Sequence, residues 1–133
     1  MNLQTKALPV NVTLAFKKAN GTKVYISRTL YKGNRLVGEY LEGSSFCSFG
    51  YASRGFNSTN CDLLIGRNYT WHKDKFGVIP PNSVVGGHTA NLEPLFICRG
   101  LFNTNWVVGK IRPTFSGCDI APSGKKQMRV HEY

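Results

Sequence analysis

The chain has 133 residues and a formal net charge of +10 at pH 7, with 17 Lys and Arg against 7 Asp and Glu. This length fits one domain, and no apolar stretch approaches the roughly 20 residues that a membrane-spanning helix needs. The basic residues are spread evenly and form no run longer than a pair, so we expect a basic surface without a specific nucleic-acid interface.

Short apolar segments alternate with turn signals along the chain. Asn20-Gly21 lies between two such segments and predicts a tight hairpin. Its later counterpart, Asn91-Leu92, lacks the glycine and predicts another turn geometry or an Asn at positive φ. No window of helical length has a clean 3.6-residue period. The sequence therefore predicts an all-β protein of ten or more short antiparallel strands in two related sheets. In chain order, the predicted strands are 10–16, 23–31, 35–40, 46–51, 61–65, 84–87, 95–102, 106–111 and 118–121.

The chain matches itself when it is displaced by 71 positions. No gap is needed from Leu8/Ile79 to Arg54/Lys125, and twelve pairs are identical, where chance would give about three. Because each half is too small to bury much apolar surface alone, we expect the halves to share one core. The prediction is a single domain, 1–133, of two tandem related antiparallel β-units with pseudo-two-fold symmetry. Repeat one covers 8–64, the linker 65–78 and repeat two 79–133.

The four cysteines form no C-x-x-C pair, and the three histidines are scattered, so we predict neither a metal site nor another cofactor. Cys47 and Cys118 are equivalent in the two repeats, which indicates a role in packing. Buried free thiols are the commoner state in a reducing compartment. Disulfides are the alternative, and the sequence does not decide between them.

The sequence carries no catalytic signature. It lacks the G-x-S-x-G elbow and the phosphate-binding Gly loops. Glu39 and Glu42 lie close together, but the second repeat has Lys110 and Pro113 at these positions, so a catalytic carboxylate pair is not repeated. We therefore predict a protein that is not an enzyme.

A duplicated small β-module offers two related pockets, and paired weak sites suit a multivalent ligand. Sugar hydroxyls both donate and accept hydrogen bonds, so they favour planar polar side chains beside apolar or aromatic patches. Turn formation is the alternative role for the repeated asparagines, and strand bridging is the alternative for the repeated arginines. The groups at matched positions are Asn20 and Asn91, Arg28 and Arg99, and the aromatic pair Tyr31 and Phe102, and each repeat adds one basic residue, Lys18 or Lys110.

Residues 78–133, VIPPNSVVGGHTANLEPLFICRGLFNTNWVVGKIRPTFSGCDIAPSGKKQMRVHEY, resemble the DM9 (DM-nine) repeat, which also forms the lectin-like part of natterin-type toxins. Residues 8–64 resemble a more diverged copy, and Trp71 matches the tryptophan between repeats of this family. The resemblance covers nearly the whole chain. The matching motif residues are Pro80, Pro81, Asn82, Val84, Gly87, Phe96, Ile97, Arg99, Gly109, Lys110, Cys118, Gly124 and Tyr133.

The resemblance implies a pseudo-symmetric all-β fold and binding of mannose-type glycans in pathogen recognition, often as a homodimer. In the lectin members, an acidic residue at a turn and the Lys of a Gly-Lys pair hold the sugar. Here the first acidic position of the turn falls on Lys18 and Thr89, and the second falls on Asn20 and Asn91. The Lys position falls on Glu39 and Lys110. In the first repeat the two charges are reversed, with Lys18 at the acidic position and Glu39 at the Lys position. This reversal predicts either a pocket of reversed polarity or a salt bridge. The predicted carbohydrate-binding residues are thus Lys18, Asn20, Glu39, Thr89, Asn91 and Lys110, supported by Arg28 and Arg99.

The alternative function is a DM9 scaffold that has lost sugar binding and acts through protein, membrane or polyanion contacts, helped by its positive charge. Residues 1–10 contain no apolar segment typical of a secretory signal, and members of the family commonly lack one. We therefore expect a cytoplasmic or vesicle-associated protein, or one secreted by a route without a signal peptide. Four N-x-S/T sequons leave the compartment open.

Overall fold

The computed structural model describes residue 8, residues 11–122 and residues 125–133, and it confirms the all-β prediction. No helix occurs in these ranges, so none could span a membrane. Val10 of the first predicted strand and Gly124 of the DM9 motif lie outside the described residues. The strands are β1 Leu14–Lys17, β2 Lys23–Tyr31, β3 Asn34–Leu41, β4 Cys47–Tyr51, β5 Arg54–Ser58, β6 Asp62–Leu63, β7 Val85–His88, β8 Pro94–Phe102, β9 Asn105–Ile111, β10 Cys118–Ile120 and β11 Met128–Val130.

All the strand pairs are antiparallel and belong to one continuous hydrogen-bonded network. The main path runs β1-β2-β3-β7-β8-β9-β10-β11, while β4 pairs with β3 and β5, and β6 pairs with β2. The two related sheets that the sequence predicted are therefore joined in one network. The two halves are joined because Arg35 of β3 pairs with His88 of β7.

The strand positions repeat with the spacing found in the sequence. Strands β1 to β4 begin at residues 14, 23, 34 and 47, and strands β7 to β10 begin at 85, 94, 105 and 118. Each start is displaced by 71 residues. The repeat ends differently, since β5 begins at residue 54 and β11 at residue 128. A pseudo-two-fold axis between the halves remains a prediction.

The apolar core joins the two halves. The larger cluster contains Val24, Val37 and Phe49 of the first repeat together with Leu95 and Val108 of the second. A smaller cluster lies within the second repeat, around Ile111 and Ile120. The first repeat therefore buries part of its apolar surface against the second.

All four cysteines form disulfides, which decides between the two alternatives, and Cys47 and Cys118 are fully buried, as predicted. Cys47 pairs with Cys61, and Cys98 pairs with Cys118. The two bonds are not equivalent in the repeat, because the counterpart of Cys98 is Ser27. The sequence could not reveal this pairing, since Cys61 has no cysteine counterpart in the second repeat.

Candidate functional site

The turn that follows β1 holds the first pair of predicted site residues. The backbone N–H of Lys18 donates to the carbonyl of Thr22, and the N–H of Gly21 donates to the carbonyl of Lys18, both at 2.9 Å. The Asn20 side-chain oxygen accepts the N–H of Thr22 at 3.0 Å. Asn20 therefore stabilises its own turn, and it is an exposed residue.

The turn that follows β7 has the same backbone hydrogen bonds. Thr89 N–H donates to the carbonyl of Glu93, and Leu92 N–H donates to the carbonyl of Thr89, both at 2.9 Å. Leu92 has φ 66°, close to the 88° of Gly21. The prediction of another geometry, or of Asn at positive φ, is therefore wrong, because Leu92 itself adopts the left-handed conformation.

A side chain from the first repeat supports this second turn. The Asn34 side-chain oxygen accepts the N–H of Ala90 at 2.8 Å. The amide nitrogen of Asn34 donates to the carbonyls of Tyr31 and Lys32 within its own hairpin. The turn that carries Thr89 and Asn91 is thus fixed to the β2–β3 hairpin of the other repeat.

Glu39 lies on β3 and is only 2% exposed. Its Oε2 accepts the backbone N–H of Val108, from the second repeat, at 3.0 Å. Burial raises the pKa of Glu39 to about 7, although the Val108 N–H and the positive charge of Lys18 act in the opposite direction. Lys18 and Glu39 form no salt bridge in the described part of the chain, and their charges interact at longer range.

Lys110 lies on β9 at the position equivalent to Glu39 and is 8% exposed. Its Nζ donates to the carbonyl of Gly50 at 2.7 Å and to Oε1 of Gln127 at 2.6 Å. Burial lowers the pKa of Lys110 to about 8, while the Asp119 carboxylate raises it. The contact with Gly50 places this ammonium group at the boundary between the repeats.

The six predicted carbohydrate-binding residues are therefore found in two environments. Glu39 and Lys110 are buried and bonded to protein groups. The turn residues are more accessible: Lys18 and Thr89 are half-buried, and Asn20 and Asn91 are exposed. Lys18 and Glu39 are close enough for their charges to interact, but the described contacts do not join all six residues in one pocket.

The supporting arginines have different surroundings. Arg28 is exposed on β2, and its Nε lies 3.3 Å from Asp62 Oδ2. Arg99 is stacked between Trp71 and Trp106, with its guanidinium carbon 4.4 Å from each ring centroid. Burial lowers the pKa of Arg99. The alternative role as a strand-bridging residue therefore fits Arg28, whereas Arg99 belongs to an aromatic stack.

The sequence did not predict a cavity of about 690 Å³ beside this stack. It lies between the linker, β1 and β8, and Trp71 and Arg99 are among the residues that line it. The indole N–H of Trp71 donates to the carbonyl of Ala15 at 3.1 Å, which fixes the linker over β1. The available signal in the sequence was Trp71, which matches the tryptophan between repeats of the family.

These features define a tandem all-β repeat protein whose halves share their strand positions, turns and core. A comparison with protein families finds that the model for the DM9 repeat matches residues 18–130. The chain belongs to the DM9 repeat family, as its sequence motifs predicted. A search of curated proteins gives no significant match.

Proposed function

We propose that the protein is a carbohydrate-recognition module that binds neutral, mannose-type glycans and acts in innate-immune pattern recognition rather than as an enzyme. The main support is the pair of equivalent turns, 18–22 and 89–93, which have the same two backbone hydrogen bonds. Each turn carries one exposed asparagine at the same position. The predicted sugar-contacting residues are thus held in matching local frames, and membership of the DM9 family favours this ligand class.

The second repeat offers the better site in this proposal. Asn91 is exposed, and its side chain makes no hydrogen bond within the described part of the chain, whereas the oxygen of Asn20 already accepts a backbone N–H. Thr89 Oγ1 accepts the N–H of Glu93 at 3.1 Å and can still donate its proton. A sugar hydroxyl needs both donors and acceptors, and Asn91 with Thr89 supplies them.

The same proposal covers the partners and the location. Two sites of low affinity would gain strength on a branched glycan, and a homodimer would double their number. No cofactor and no specific nucleic acid are needed. Two disulfides are typical of an oxidising environment, which favours secretion among the expected locations.

A glycan array followed by titration with a mannose oligosaccharide tests the proposal. A charge-assisted hydrogen bond contributes about 1.5–3 kcal/mol, so Lys110→Ala should weaken binding about ten- to a hundred-fold if its ammonium reaches the sugar. Lys75→Ala, which changes an exposed linker lysine, is the matched control. Because no ion pair with the ligand forms, binding should change little between low and high salt.

Lys110 is buried, so its variant needs a companion that leaves the core intact. Asn91→Ala removes an exposed side chain, and it should weaken binding while leaving the free energy of unfolding unchanged. Asn20→Ala is the equivalent change in the first repeat and should have the smaller effect on binding. An array without any neutral glycan, or equal affinities for all of these variants, would reject the proposal.

One observation favours the alternative function, a DM9 scaffold that has lost sugar binding. Lys110 and Glu39, the two positions that match the sugar-binding lysine of the family, both bond to groups of the protein itself. In that case the positive surface would act on a membrane or another polyanion. Strongly salt-dependent binding to heparin, unaffected by Asn91→Ala, would favour this alternative.

A further inference from the structure

The cavity beside Trp71 has the properties of a small-molecule site. Its volume of about 690 Å³ falls within the range of roughly 300–1,000 Å³ that is usual for ligand pockets. Apolar side chains from both repeats form much of its surface, including Ile26, Ile79, Phe96 and Ile111. Such a surface favours the apolar part of a ligand.

The charged side chains that line the cavity have one sign. Arg67, Lys73 and Arg99 line it, and none of the described residues in its lining is Asp or Glu. Apolar walls weaken the screening of these charges by water. The cavity therefore favours a ligand with a negative charge over a neutral or positive ligand of the same shape.

Arg99 is the cation whose position is best defined. Its guanidinium carbon lies over the rings of Trp71 and Trp106, 4.4 Å from each centroid. In the described part of the chain its guanidinium has neither a hydrogen bond nor a carboxylate partner. The N–H groups of a guanidinium lie in its plane, in a fork that matches an oxyanion. Stacking therefore fixes the orientation of Arg99 and leaves the edge of the group available for a ligand.

The equivalent residue in the first repeat shows the contrast. Arg28 occupies the same place on β2 as Arg99 on β8, but it is paired with Asp62 and lies outside the cavity. No aromatic ring covers Arg28 in the described part of the structure. Arg99 therefore differs from Arg28 because of the residues around it, although both occupy the same position on the repeated strand.

We propose that this cavity binds a small amphipathic organic anion, whose oxyanion is held by the edge of Arg99 and whose apolar part lies against Ile26, Ile79 and Phe96. This site is separate from the turns 18–22 and 89–93, so it does not depend on glycan recognition. Arg67 and Lys73 at the linker would attract the anion to the cavity.

Dodecanoate below its micellar concentration is a suitable probe, with dodecanol as the neutral ligand of equal chain length. The chain has two tryptophans, and both flank Arg99, so their fluorescence reports on this site; calorimetry gives a second measure. We expect saturable binding of dodecanoate that is about ten- to a hundred-fold tighter than that of dodecanol. Equal affinities, or no binding of dodecanoate, would overturn the proposal even if every variant failed to fold.

Arg99→Gln should weaken dodecanoate binding about ten- to a hundred-fold, because it removes the charge-assisted hydrogen bonds. Arg28→Gln is the matched control at the equivalent position and should leave the affinity unchanged. Arg99→Lys keeps the charge but not the fork, so its affinity should lie between those of the wild type and Arg99→Gln. Equal losses in Arg99→Gln and Arg28→Gln would show that general charge, and not this cavity, attracts the anion.

Discussion

The two repeats have the same strand spacing and turn hydrogen bonds but differ in the charges that they bury. Their strands begin 71 residues apart, and their turns have the same hydrogen bonds. Yet Glu39 in one repeat and Lys110 in the other occupy equivalent buried positions with opposite charge. In a sheet, the backbone N–H and carbonyl groups must pair with each other, so few backbone arrangements are possible. A buried side chain at the boundary between repeats can carry either charge if a neighbouring group bonds to it. The two halves therefore have the same strand spacing and turn hydrogen bonds but opposite charges at their boundary.

Removing the disulfide of either repeat should have the largest effect on stability. The bonds close loops with sequence separations of 14 and 20 residues, and loops of this size are worth about 3 kcal/mol each. Replacing Cys47 and Cys61 by Ala, or Cys98 and Cys118 by Ala, should therefore lower the free energy of unfolding by similar amounts in urea denaturation. A loss under about 1 kcal/mol for one pair would show that its repeat is held by packing alone.

Glu39 should make stability fall as pH rises from about 4.5 to 7. Its pKa in the folded protein is about 7, above its ordinary value of 4.5, so the folded state binds more protons than the unfolded state in this range. The pKa difference of about 2.5 corresponds to about 3 kcal/mol. Glu39→Gln should remove this slope and raise stability above pH 7, whereas Glu42→Gln, at an exposed residue, should not. Urea titrations across this range measure the difference, and parallel curves for the wild type and Glu39→Gln would contradict it.

Lys110 should give the opposite dependence at alkaline pH. Its pKa in the folded protein is about 8, below its ordinary value of 10.5, so the unfolded state binds more protons between these values and stability should rise with pH. The free energy of unfolding should change by about 3 kcal/mol over this range, as for Glu39. Lys110→Met should flatten the rise between pH 8 and 10, with Lys75→Met as the exposed control. If the wild type and Lys110→Met had the same free energy of unfolding at every pH, Lys110 would not oppose the pH dependence that Glu39 gives.

Substitutions in the equivalent turns should have the smallest effect on stability. Gly21 has φ 88° and open space around its α-carbon, so Gly21→Leu would add backbone strain without a clash and should cost about 1 kcal/mol. Leu92→Asn should raise stability by a few tenths of a kcal/mol, since Asn tolerates the left-handed conformation better. Thermal unfolding of both variants measures the strain. A cost for Gly21→Leu near zero would show that the turn tolerates any residue and that Leu92 is unstrained.

Much of the framework could be predicted from the sequence, because it depends on local patterns. Short apolar segments between turn signals predicted nine of the eleven described strands, whereas β5 and β11 had no predicted counterpart. The displacement of 71 positions predicted the spacing of β1–β4 and β7–β10. The motif residues also predicted membership of the DM9 family. These features follow from short-range backbone preferences that each repeat expresses by itself.

The tertiary structure decided the features that depend on residues distant in the chain. It paired Cys47 with Cys61 and Cys98 with Cys118, buried Glu39 against Val108, and bonded Lys110 to Gly50 of the other repeat. The stacking of Arg99 between Trp71 and Trp106, which marks the cavity, has the same origin. A single sequence fixes strand periods and turn residues locally, but burial and partner choice depend on how the two repeats pack. Equivalent positions such as Arg28 and Arg99 therefore acquire different environments although the sequence makes them identical.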